Sequence, residues 1–125
     1  MPSGLVLFAH GARDPRWAEP FERLRERVAR ATPETRVALA FLECMEPDLD
    51  AAARDLCDAG CRTIVLVPVF LGQGGHVRDD LPQLLARAAA RNPDCSFRLA
   101  EAAGEDNAVL DAIAVYCLRQ LASGR

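Results

Sequence analysis

A nearly unbroken β-branched and aliphatic run, Thr63-Ile-Val-Leu-Val-Pro-Val-Phe-Leu71, does most to limit what this chain can fold into. A strand with one face in water alternates apolar and polar residues. A run without alternation predicts a strand covered on both faces, the condition inside a parallel sheet. The run leads into Gly72-Gln-Gly-Gly-His76 and then Val77-Arg-Asp-Asp-Leu-Pro82, a glycine-rich turn followed by a polar segment that opens a helix. Leu5-Val-Leu-Phe-Ala9 has the same sequel, with His10 and Gly11-Ala-Arg-Asp-Pro15 behind it. His10 and His76 are the two histidines of the chain, and each is expected in a loop after a strand.

Periodicity extends the pattern. Trp17, Phe21, Leu24, Val28 and Ala31 recur at steps of four and three and predict one helix face, with Asp14 and Pro15 at its start and Thr32-Pro33 at its end. A second strand is expected from about Arg36 to Leu42, ending at Glu43. Pro47 is expected to open a helix that buries Leu49, Ala53, Leu56 and Cys57 and stops at Gly60. Helix three, after His76, presents Leu81, Leu84, Leu85 and Ala88. A short strand over Cys95 to Ala100 and a helix over Asp106 to Leu121, with Leu110, Ile113, Ala114, Cys117 and Leu121 inward, complete the series. The order βαβαβαβα predicts an α/β fold: a four-stranded parallel sheet with helices on both faces, as one domain over residues 1–125.

In such a sheet ligands bind beyond the carboxyl ends of the strands, where strand order reverses. His10, Glu43 and His76 end or follow the first three strands, and an order 2-1-3-4 sets them on one rim. A lone loop histidine is usually a surface residue, and a strand-end glutamate is usually just solvated. Their joint placement argues for function. Imidazole suits cobalt, nickel, iron or zinc and moves protons near neutrality. Two histidines and a carboxylate make an open site rather than a closed structural one. Gly72, Gly74 and Gly75 would let a flat or bulky ligand approach the backbone, and Arg13 and Arg78 could pair with substrate carboxylates, although each alone is at least as readily a solvated charge or a partner of Asp14 or Asp79.

Composition removes other classes. All fifteen basic residues are arginine, so no P-loop lysine, Schiff-base lysine or Ser–Lys dyad is available. A net charge of −3 gives no sign of nucleic-acid binding. No run approaches the roughly 20 apolar residues of a membrane span. The five cysteines show no CxxC spacing and are expected as buried thiols in a reducing, cytoplasmic setting, with no leader segment.

Leu5 to Pro15, Phe41-Leu-Glu43 followed by Pro47, and Val67-Pro-Val-Phe-Leu-Gly-Gln-Gly-Gly-His76 with Asp80-Leu-Pro82 together resemble the short class II chelatases, the CbiX/SirB-type sirohydrochlorin chelatases. Ala12 departs from the serine often found there in that family. The resemblance implies ATP-independent insertion of a divalent metal (Co2+, Fe2+ or Ni2+, as substrate) into sirohydrochlorin, in cobalamin or siroheme synthesis. It implies no permanently bound cofactor. By position His10 is implied as metal ligand and proton acceptor and His76 as second metal ligand. Glu43 is implied as a catalytic and substrate-contacting residue, with Leu71, Gly72, Gln73, Gly74 and Gly75 against the tetrapyrrole. A homodimer is implied as well. Two other readings use the same residues: a metal or tetrapyrrole carrier, and a histidine-phosphatase-like phosphoryl transferase. The latter normally has arginine before its histidine, where this chain has Ala9.

Overall fold

The computed structural model describes residues 2–72 and 74–123 and, of residue 76, the backbone alone. Strands β1 (Ser3–Ala9), β2 (Thr35–Phe41), β3 (Thr63–Pro68) and β4 (Ser96–Leu99) form one parallel sheet in the order β2-β1-β3-β4. Helices α1 (Glu19–Ala31), α2 (Leu49–Asp58), α3 (Gly75–Arg91) and α4 (Asn107–Ser123) alternate with the strands. Short 3-10 turns at Pro15–Ala18 and Ala103–Glu105 precede α1 and α4.

Both faces of the sheet are apolar because successive side chains point to opposite sides. Val6, Phe8, Ala40, Ile64 and Leu66 face α2 and α3 and form the larger core. Leu7, Ala9, Leu39 and Phe41 form the smaller one, against Trp17, Phe21 and Leu24. Helix α1 lies over β2 and β1 only. On that side, among the described residues, no helix packs extensively on the β3–β4 half of the sheet, where Val65 is in register with Arg98.

Several boundaries differ from the expectations. Strand β3 ends at Pro68 rather than Leu71, since Pro68 has no N–H for a ladder and β4 stops at Leu99. Asp48, not Pro47, starts α2: its carboxylate accepts the Ala51 N–H at 2.9 Å. Asp14 accepts the Arg16 N–H as expected, but caps the 3-10 turn that leads into α1. The end of α2 and the approach to β4 bring Cys57 and Cys95 together, Cα to Cα 6.6 Å, within reach of a disulfide where separate thiols were expected.

The largest correction concerns α4. Its expected inward face is exposed: Leu110 at 45%, Ile113 at 39% and Leu121 at 72%, with Ala114 and Cys117 exposed too. The helix packs chiefly on the 3-10 turn at its own root and leaves the sheet uncovered.

Candidate active site

The chain runs β1–α1–β2 to one side and then crosses back to β3 on the other, so strand order reverses between β1 and β3. His10 follows β1 and the Val69–Gly74 segment follows β3, so both border the crevice that such a reversal opens. His10 Nε2 lies 3.0 Å from Glu43 Oε1. An ionised carboxylate only accepts, so this contact puts the imidazole proton on Nε2 and leaves the Nδ1 lone pair free for a proton or a cation. The two side chains are 49% and 58% exposed. A pair this open contributes about 0–1 kcal/mol to stability, so its main effect is to hold the ring.

Backbone contacts keep the pair together. Leu42 N–H donates to Ala9 O at 2.9 Å and Glu43 N–H to His10 O at 3.1 Å, continuing the β1–β2 ladder past its formal end. Gly11 then turns at φ +94°, and a Cβ there would lie 1.9 Å from Glu43 O. Cys44, also at positive φ, turns the chain on the other side. The Phe70 ring meets the His10 ring edge-on, at 6.2 Å between centroids. These supporting roles of Gly11, Cys44 and Phe70 went unread in the sequence. Only the Gly11 that follows His10 hinted at one.

The structure brings His10 and Glu43 together. His76 is not in the loop, as expected, but is the second residue of α3, which puts its backbone at the same rim; its side chain lies outside the described atoms. Gly74 is the N-cap of α3 and contributes no capping side chain, and Arg78 N–H donates to Gly74 O at 3.1 Å. Gln73 lies outside the described residues. Leu71, at 63% exposure, and Gly72 stand open to solvent. Arg13 and Arg78 are exposed; among the described residues neither enters an ion pair, and Asp14 pairs with Arg16 instead. That pairing holds the Asp14 carboxyl below its ordinary range. A hollow of about 290 Å³ beside Arg13 is lined also by Ala12, Phe41, Cys44 and Met45. Among the described residues no three metal-binding side chains converge.

The family model CbiX matches residues 4–116. The "sirohydrochlorin cobaltochelatase" of Sulfolobus acidocaldarius is 32% identical over 108 residues, 86% of this chain and 84% of that protein. The protein of the same name from Methanopyrus kandleri is 35% identical over 81 residues, which are 65% of this chain and 57% of that one. Among solved structures, a putative cobalamin (vitamin B12) biosynthesis CbiX protein from Marinobacter aquaeolei superposes with a TM-score of 0.87 at 33% identity, covering 98% of this chain and 99% of that one. The sirohydrochlorin chelatase SirB from Bacillus subtilis in complex with cobalt gives 0.73 at 26% identity. There 91% of this chain spans 49% of SirB.

Proposed function

This chain belongs to the CbiX family of chelatases, and on that footing we propose that it inserts a divalent metal, Co2+ foremost, into sirohydrochlorin without ATP. Fe2+ and Ni2+ are alternative substrates, since imidazole and carboxylate accept all three. The observation that carries the reading is the His10–Glu43 pair, held 3.0 Å apart at the rim where strand order reverses.

Metal entry exchanges one divalent cation for two pyrrole N–H protons, so a proton acceptor must stand beside the incoming ion. His10 would hold the ion in transit through its free Nδ1 and, once the ion has passed to the macrocycle, take one of the two pyrrole protons on that nitrogen; the second proton goes to solvent. Glu43 orients the ring and balances the imidazolium that forms. His76, at the start of α3, is the second ligand. Leu71, Gly72, Gln73, Gly74 and Gly75 lie against the macrocycle: an exposed leucine gives apolar contact, and Gly72, Gly74 and Gly75 have open space where a Cβ would stand. Arg13 and Arg78 bind substrate carboxylates. No resident cofactor enters the scheme. The cytoplasm is the proposed compartment.

Residues 1–125 act as one chelatase-like domain, and the working unit is a homodimer. Two observations support the dimer. One copy spans about half of SirB, and it leaves both an apolar α4 and half a sheet face uncovered.

The test is an anaerobic absorbance time course of sirohydrochlorin with Co2+, Fe2+ or Ni2+, run with wild type, with His10→Ala and with no protein. Wild type should accelerate insertion, and His10→Ala should lose roughly 10²–10⁴-fold in turnover while keeping its circular dichroism. Stoichiometric product without recycling would make the protein a carrier. Full activity in folded His10→Ala would remove His10 from the mechanism.

A further inference from the structure

We propose that Gly104, in the turn between β4 and α4, is a positioning residue for the loop that leads to His76. The residue is remote in sequence from every side chain assigned above, yet its backbone presses on that loop. Gly104 N–H donates to Phe70 O at 2.8 Å. A Cβ on Gly104 would stand 1.7 Å from Leu71 O, 2.4 Å from its carbonyl carbon and 2.6 Å from its Cα. All three are backbone atoms, so no side-chain rotation relieves the overlap. Gly104 does not adopt a positive φ. Glycine is needed there for space, not for conformation.

The surrounding turn cannot easily recoil. Ala102 is 3% exposed. Glu105 N–H donates to Ala102 O at 2.9 Å and Asp106 N–H to Ala103 O at 3.1 Å. Asp106 Oδ1 then accepts the Ala108 N–H at 2.8 Å, tying the turn to α4. On the loop side the contrast is plain: Gly72, Gly74 and Gly75 have nothing within 4 Å of an added Cβ. Gly104 therefore holds the segment at Phe70 and Leu71, whereas an added Cβ on any of these three glycines would meet open space. Because the Phe70 ring also abuts His10, a displaced Phe70–Leu71 backbone disturbs both histidine-bearing segments. The same contact links the root of α4 to the site.

The test pairs amide hydrogen exchange with metal insertion; the second arm rests on the proposed chelatase reading and the first does not. In wild type the Gly104 amide should exchange at least about 100-fold more slowly than a free amide. Gly104→Ala should keep its circular dichroism, exchange faster at Val69, whose N–H donates to Phe8 O at 2.8 Å, and fall roughly 10- to 100-fold in kcat per folded molecule. A change in KM alone, or wild-type exchange and kcat in a folded variant, overturns the proposal. If Gly104→Ala does not fold, exchange in wild type decides: protection at Gly104 supports the clamp and a free-amide rate overturns it. Should wild type insert no metal, the chelatase reading fails while the exchange arm still tests the clamp.

Discussion

A Cβ on Gly11 would stand 1.9 Å from the carbonyl oxygen of Glu43, and its φ of +94° lies where L side chains are strained. Gly11→Ala therefore meets two costs at once, which together should lower stability by about 1–3 kcal/mol. Relief requires the Gly11 and Glu43 backbones to part, which should disturb the 3.0 Å contact between the His10 and Glu43 side chains. Urea denaturation should show a lower midpoint, and insertion per folded molecule should fall as well. Gly72→Ala is the matching comparison: nothing lies within 4 Å of its added Cβ, so its stability should stay within about 0.5 kcal/mol of wild type. Equal midpoints for the two variants would mean that Gly11 is not the pivot of this rim.

Elements show where local chemistry decides a boundary and where it does not. Asp48 accepts the Ala51 N–H at 2.9 Å and so satisfies one of the open donors of α2. Asp48→Ala should cost about 1 kcal/mol, read as a lower thermal midpoint; an unchanged midpoint would deny the cap. The βα alternation and the helix faces that line both cores were legible in advance, since apolar periodicity is a local signal, whereas the order β2-β1-β3-β4 entered only as a condition that the structure meets. Among site residues the rim positions of His10 and Glu43 were legible for the same reason. The end of β3 was not, because a ladder stops where its neighbours stop, and β4 is only four residues long. Nor were the Gly11–Glu43 and Gly104–Leu71 contacts. Each joins segments more than thirty residues apart, and a glycine in sequence does not say what presses against it. Helix α4 failed differently. Its pattern reads as a buried helix, and the burial it asks for is absent from a single chain.

That absence is the strongest physical argument about the whole molecule. Leu110, Ile113, Val115, Tyr116, Leu118 and Leu121 are all exposed, and Asp111 and Arg119 are the charged residues of a 17-residue helix roughly 26 Å long. A helix apolar on most sides is one covered on most sides. The same chain bears a groove of about 580 Å³ over the uncovered half of its sheet, lined by Val67, Arg98, Ala100 and Val109 among others. In the proposed homodimer the apolar helix of one copy and the open half-face of the other would cover each other reciprocally across a two-fold axis. Light scattering at micromolar concentration should find twice the 13.6 kDa of one chain. Leu118→Glu with Leu121→Glu should shift that mass to a monomer, since neither carboxylate can be buried without a partner. Both sites lie far along α4 from the turn at Gly104, so the fold of the sheet should persist in circular dichroism. If the double variant is monomeric and also slow to insert metal, the rim needs the second copy to complete it. If it is monomeric and fully active, each copy holds a whole site and the dimer serves only to cover α4. A wild type that stays monomeric at those concentrations would overturn the dimer itself.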